Sequence, residues 1–229
     1  MKRIRQLLHK TDPYQGFDAD KYPQDMQGWG SDHQFFRVII EKIRPSVIVE
    51  VGTWKGGSAI NMARLARECN LDTEIVCVDT WLGSSEHVLD RTAIHDSLRY
   101  INGYPSLYYT FLTNVVKSGF QDYITPLPIS SESAAVVLGQ LGVSAKLIYI
   151  DAAHQFDPAY RDISEFWKLL DADGIMLCDD YGYSDVTAAA CTFAAKTRCA
   201  LYATYGKAIL SKKPNRAFHL DLWRIDDQA

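Results

Sequence analysis

Four short apolar runs, each carrying an acid at or near its carboxyl end, constrain this chain most. Val47 to Val51 is apolar and β-branched, broken only by Glu50. Glu74 to Val78 ends at Asp79, Leu147 to Ile150 at Asp151, and Ile175 to Cys178 at Asp179-Asp180. Helical periodicity separates them. One helix carries Met62, Leu65, Ala66 and Cys69 on one side; another, opened by Asp157-Pro158 as cap and first turn, carries Tyr160, Ile163, Trp167 and Leu170. A third runs from about Val186 to Ala195. Strands alternating with helices predict an α/β layered fold with a mainly parallel sheet.

Three more strands complete a seven-stranded sheet. Ile124 to Ile129 is weaker, and Pro126 and Pro128 suit it to an edge. Leu201 to Tyr205 and Ala208 to Leu210, joined at Gly206-Lys207, read as a C-terminal antiparallel hairpin. Ahead of the first strand, Ser31 to Lys42 reads as a helix that Pro45 stops. Ser31 with Gln34 makes a capping box there, and Phe35, Phe36, Ile39, Ile40 and Ile43 form its apolar face. Residues 1–30 are polar and turn-rich and form an extension or cap; residues 31–229 form one domain. The long stretch at about 83–121 holds Tyr100, Tyr104, Tyr108, Tyr109 and Phe111, and is helical around Leu107, Phe111, Leu112 and Val115. It is either a lid over the strand ends or a packed helical elaboration.

At 229 residues, with 47% hydrophobic and 23% charged content, the chain is long enough for one domain with a large core. A net charge of −4 gives no electrostatic reason to expect nucleic acid or an anionic membrane as partner. No apolar run reaches the ~18–20 residues that span a bilayer. The basic start Met1 to Arg5 is followed by Gln6, His9 and Lys10, which interrupt a signal-peptide core, so a cytoplasmic protein is expected. The five cysteines show no metal-binding spacing, and Cys77 and Cys178 read as reduced core residues. A homo-oligomer is left open.

Residues just past the carboxyl ends of parallel strands line the ligand crevice of such a sheet. Asp151, Asp179 and Asp180 converge there, and like charges at short range repel. A divalent cation with hard oxygen ligands is the usual reason for such a cluster: Mg²⁺ first, with Ca²⁺ or Mn²⁺ as substitutes. His154, three residues past Asp151, is in place to take a proton.

Glu50-Val51-Gly52-Thr53-Trp54-Lys55-Gly56-Gly57-Ser58 joins the first strand to its helix. Its glycines suit close backbone approach to a ligand, but their spacing is not that of dinucleotide enzymes, which argues against a nicotinamide dehydrogenase. An acid at this strand end repels a pyrophosphate and suits a cationic ligand. Asp79, at the end of the second strand, is placed to accept both hydroxyls of a ribose, or only to cap the next helix. Together they favour an adenosyl ligand without pyrophosphate.

On these residues the chain resembles the class I S-adenosylmethionine-dependent methyltransferases from about Gly28 to Ser211. Within them it is similar to the macrocin O-methyltransferase and cephalosporin-hydroxylase-like group, which carries an Asp-x-x-His segment and a later Asp-Asp pair. The resemblance implies a Rossmann-like class I methyltransferase fold. It places Glu50, Gly52 and Gly56, with Thr53 and Ser58 of the same turn, on the cofactor, together with Asp151, which with His154 would also be catalytic. Asp79 would take its ribose, and Ser131 and Glu132 would lie near the adenine. Asp151, Asp179 and Asp180 would hold Mg²⁺ and His154 would be the base. Catechol-type relatives have Asn where this chain has Asp180, and the insertion here is longer, so the acceptor is not carried over. Trp29, Trp54 and Trp81 are either pocket walls or core. The expected function is metal-dependent methylation of a hydroxyl on a small-molecule acceptor, a sugar or polyhydroxylated natural product. The alternative is a cofactor-binding accessory protein without its own transferase activity.

Overall fold

The computed structural model describes residues 2–90, 92–204 and 206–213. The chain opens with helix α1 (Arg3–Leu8), a 3-10 turn (Ala19–Lys21) and α2 (Gln34–Ile43). Then come β1 (Val47–Val51), α3 (Gly57–Glu68) and β2 (Glu74–Val78). The insertion holds α4 (Ser85–Leu89), α5 (Ala93–Ser97), the two-residue strands β3 (Tyr100–Ile101) and β4 (Tyr104–Pro105), and α6 (Leu107–Lys117). The second half runs β5 (Ile124–Leu127), α7 (Ser131–Gln140), β6 (Ala145–Ile150), α8 (Phe156–Trp167), β7 (Leu170–Cys178), α9 (Ser184–Thr197), β8 (Ala200–Thr204) and β9 (Lys207–Ser211).

The sheet is seven-stranded in the order β5-β2-β1-β6-β7-β9-β8, with β3 and β4 pairing apart from it. Its first five strands are parallel and the terminal hairpin is antiparallel. This is the expected α/β architecture. Continuous apolar strands fit it because both faces are covered. One face packs against α2, α3 and α6 through Phe36, Ile39, Ala59, Met62, Phe111 and Val115. The other packs against α7, α8 and α9 through Leu138, Ile163, Phe166, Ala190 and Phe193. Pro126 lies on the edge strand β5, paired with Cys77 of β2, where its missing N–H costs no ladder bond on the open side. Cys77 and Cys178 are buried, and all five cysteines are unpaired, as expected. Among the described residues no helix is long and apolar enough to cross a membrane.

Some boundaries differ from the sequence reading. The cap of α2 is His33, whose ring accepts the Phe35 N–H at 3.2 Å, not Ser31. Ser31 instead lies against Gly57, where an added Cβ would sit 2.6 Å from its Oγ. Helix α8 is capped by Gln155, so Asp157 and Pro158 lie inside its first turn. Tyr205, placed in the hairpin from the sequence, lies outside the described residues.

The N-terminal segment is fastened to the sheet edge by buried polar groups. Arg5 is only 2% exposed; its guanidinium donates to Thr125 Oγ1 at 3.2 Å, to Ile124 O at 2.7 Å and to Asp12 Oδ2 at 3.1 Å. Glu74 accepts the Ile4 and Arg5 N–H groups at 3.0 and 2.8 Å and the Thr125 hydroxyl at 3.1 Å. Removing one member of such a network leaves buried polar groups unpaired, at a cost of about 3–5 kcal/mol. Arg5→Ala is therefore expected to lower unfolding stability in urea by about that amount. A loss below ~1 kcal/mol would show that the segment is merely draped on the edge.

Candidate active site

The carboxyl ends of β1, β2, β6 and β7 open into a cleft of about 750 Å³. Gly52, Thr53, Ser58, Asp79, Ser131, Glu132, Asp151, His154, Asp179 and Asp180 all line it. The sheet order divides these residues. The turn after β1 and the end of β2 form one half; the ends of β6 and β7 and the start of β9 form the other.

The first half is built on the glycine turn. Gly52 has φ +84, and a Cβ there would lie 1.9 Å from the carbonyl oxygen of Asp151, so only glycine fits between β1 and β6. Gly56, at φ +86, caps α3 against Phe111, which an added Cβ would meet at 2.8 Å. Asp79 braces the turn. Its Oδ2 accepts the Thr53 and Trp54 N–H groups, each at 2.9 Å, and its Oδ1 accepts the Trp81 N–H at 2.7 Å. A carboxylate has about four lone-pair sites, so three bonds leave roughly one for a ligand. Asp79, expected to take both ribose hydroxyls, thus faces the cleft with roughly one acceptor site not used by the turn. Burial raises its pKa and the three backbone bonds oppose that rise.

Glu50 does not line the cleft. It is fully buried beneath the turn, where Ser58 Oγ donates to its Oε1 and Cys77 Sγ lies 3.5 Å from its Oε2. Burial pushes its pKa up to about 8. Gly56 likewise lies off the cleft, while Gly57 lines it. Glu50 and Gly56, both expected on the cofactor, thus lie outside the cleft lining and support the turn.

The second half is a chain of compensated charges. Tyr149 of β6 pairs with Glu50 of β1 and, fully buried, brings its hydroxyl to the acids of the cleft, where it donates to Asp151 Oδ2 at 2.9 Å and contacts Asp179 Oδ2. Lys207 Nζ donates to Asp179 Oδ1 at 2.6 Å. Asp180 takes a left-handed φ of 56, unusual for a residue other than glycine, and its Oδ2 lies 2.9 Å from His154 Nε2. The other nitrogen of that ring is 3.2 Å from Glu86 of the insertion, and Tyr183 stacks on the ring at 5.1 Å. The bond to Asp180 pushes His154 up to about 9. Burial first, then repulsion by Asp179 and Asp180, pushes Asp151 up to about 7.

The three carboxylates expected to hold a divalent cation share one cleft and are answered there by groups of the chain itself. Lys207, Tyr149 and His154 contact Asp179 Oδ1 and Oδ2, Asp151 Oδ2 and Asp180 Oδ2, and no group of three or more His, Cys, Asp and Glu is arranged around a metal position among the described residues. His154, expected as the base, is held between two carboxylates that raise its pKa to about 9 and so favour the imidazolium. Trp29 and Trp54 line the cleft, whereas Trp81 is core. Sequence reasoning missed Tyr149, hidden in an apolar run, and Lys207, which reads as a hairpin turn. It also missed Glu86 and His87, which the insertion brings to the cleft and which carry no motif.

Residues 49–181 match the family model described as a methyltransferase domain. No curated protein matches the chain's sequence. Among solved structures, the O-methyltransferase NovP is similar with 16% identity and a TM-score of 0.62, over 79% of this chain and 79% of its own. The S-adenosylhomocysteine-bound methyltransferase PaMTH1 of Podospora anserina is similar with 18% identity and a TM-score of 0.56, over 79% of this chain and 77% of its own. An O-methyltransferase from Bacillus cereus, in complex with S-adenosylhomocysteine, is similar with 14% identity and a TM-score of 0.58, over 91% of this chain and 95% of its own. At these identities the likeness is one of fold.

The buried Glu50 makes a measurable demand on stability. Its folded pKa, about 8, lies above the ordinary 4.5, so the unfolded chain releases this proton at lower pH than the folded one. Stability must then fall as pH rises between those values. Glu50→Gln removes that dependence. Its Tm is expected to gain on wild type steadily from about pH 5 to pH 8. A constant difference between the two across that range would place Glu50 in a solvated setting.

Proposed function

The chain belongs to the methyltransferase-domain family, and on that premise we propose that it methylates a hydroxyl oxygen of a small molecule, with S-adenosylmethionine as donor. The observation that carries the reading is the division of one cleft into a glycine-turn half and a charged half, with Asp151 where they meet. The glycine turn admits a ligand closely and offers no built phosphate cradle of the GxGxxG kind. It sits beside Asp79, the single free acceptor suited to a ribose hydroxyl, and near Ser131 and Glu132 at the start of α7, on the side proposed for adenine. The charged half suits an oxygen nucleophile that must lose a proton. Solved relatives of the fold described as O-methyltransferases support the same choice of acceptor atom. A sugar or polyhydroxylated natural product is the acceptor class that matches several polar groups around one hydroxyl.

When bound, the cofactor supplies a methyl group on a sulfonium, which departs as the neutral thioether once the acceptor oxygen takes the methyl. The protein's part is alignment and proton removal. Asp151 is the proposed base. It lies between the halves, and its pKa of about 7 is matched to neutral pH. The Tyr149 hydroxyl orients it. His154, as an imidazolium, holds Asp180 in place and ties the acceptor loop to Glu86. Gln155 Nε2 donates to the same Glu86 carboxylate at 3.0 Å. The insertion is thereby latched over the charged half, and we infer that α4 acts as the lid.

The test has two parts. S-adenosylhomocysteine is expected to raise Tm and NAD to leave it unchanged, since only a ligand bound by the folded state stabilises it. With a panel of hydroxylated acceptors, kcat/KM is expected to be bell-shaped in pH. It should fall below about 7 as Asp151 gains its proton and above about 9 as His154 loses its own. Asp151→Asn should lower kcat by about 10²–10⁴-fold, as loss of a general base does. A single limb near pH 9, with activity rising through it, would return the base role to His154. Cofactor binding without turnover on any acceptor would favour an accessory protein.

A further inference from the structure

Among the described residues Lys207 is the one lysine or arginine that lines the cleft, it is buried, and the reading above gives it no role. Strand pairing explains its place. The start of β9 runs antiparallel to the end of β7, with Cys178 opposite Ala208, so Lys207 falls beside Asp179. Its side chain is 5% exposed, passes the Tyr149 ring at 5.7 Å, and ends 2.6 Å from Asp179 Oδ1. Gly30 covers it from the N-terminal segment: a Cβ there would lie 3.7 Å from Nζ. An ammonium has three N–H donors. Among the described residues its hydrogen bond goes to Asp179, and it lines the cleft. Buried donors need acceptors, so a ligand oxygen is the natural partner for the rest.

We propose that Lys207 is the resident cation of the acceptor half, standing where a divalent metal would otherwise be required. The inference rests on the reading of the cleft as a hydroxyl-methylating site. Its ammonium neutralises Asp179 and donates to the acceptor oxygen, which lowers that hydroxyl's pKa. The hydroxyl proton passes to Asp151, and the oxygen's electron pair is freed for the methyl group. A positive charge already fixed in the protein costs no reorganisation during the reaction. It also repels a second cation from Asp179 and Asp151.

Calorimetry with Mg²⁺ tests the proposal without knowledge of the acceptor. The S-adenosylhomocysteine complex of the wild-type protein is expected to show no Mg²⁺ binding at millimolar concentration. Lys207→Ala, which frees Asp179, is expected to gain it, and Lys207→Arg, which keeps the charge, is not. If Lys207→Ala fails to fold, the wild-type and Lys207→Arg titrations still decide. Sub-millimolar Mg²⁺ binding to either would overturn the proposal. Turnover gives the second readout. Chelated wild-type protein should keep its kcat, and Lys207→Met should lose about 10²-fold in kcat with KM for the cofactor unchanged, as for removal of one preorganised donor. Loss of activity on chelation with recovery on Mg²⁺, or a Lys207→Met variant with full kcat, would overturn it too. Failure of the underlying reading looks different: no S-adenosylhomocysteine binding, and no methyl transfer by the wild type with or without Mg²⁺.

Discussion

Three carboxylates at the ends of two adjacent parallel strands cannot stand side by side unless something offsets their repulsion. In this protein the offset comes from the chain itself. Tyr149 joins Asp151 to Asp179, Lys207 answers Asp179, and His154 answers Asp180. Much of the local structure follows from that arrangement. The terminal hairpin must return beside β7 to deliver Lys207. Asp180 must take a left-handed backbone to turn towards His154. The insertion must fold back far enough for Glu86 to reach the other nitrogen of the same ring.

The glycine-turn half obeys a steric constraint instead. Gly52 lies against the backbone of Asp151, so the first turn and the acceptor loop are in direct contact. Asp79 then fixes the turn with three backbone bonds, and Glu50 supports it from below through Ser58. A ligand bound on the turn is therefore held within reach of Asp151 by the sheet itself. Lys55, 1% exposed, extends this coupling outward: its Nζ meets Asp25 at 2.7 Å, Gln27 at 3.0 Å and Ser97 at 3.0 Å. The turn, the N-terminal segment and the insertion thus share one buried ion.

The sheet was legible in the sequence because its strands are buried on both faces and read as continuous apolar runs. The acids at their ends were legible for the same reason: they interrupt those runs. What the runs concealed was which way each side chain points. Tyr149 looks like one more apolar strand residue until the pleat turns its hydroxyl towards Asp151. Glu50 sits at the expected strand end, but the same pleat directs it under the turn. Lys207 was illegible because its role depends on a long-range antiparallel pairing, and turns rich in Gly and Lys are common in solvent. The capping box at Ser31 was misread because His33 supplies the cap in its place. The metal expectation followed from the acids alone; the cations that other parts of the chain bring to them were not legible.

The most direct test of this account is a crystal structure of the protein with S-adenosylhomocysteine. The account predicts the homocysteine end on the turn at Gly52 and Thr53, the ribose beside Asp79, the adenine near Ser131, and the sulfur facing Asp151 with Lys207 beyond it. S-adenosylhomocysteine lying across Asp179, His154 and Lys207, with the glycine turn free, would contradict the division of the cleft.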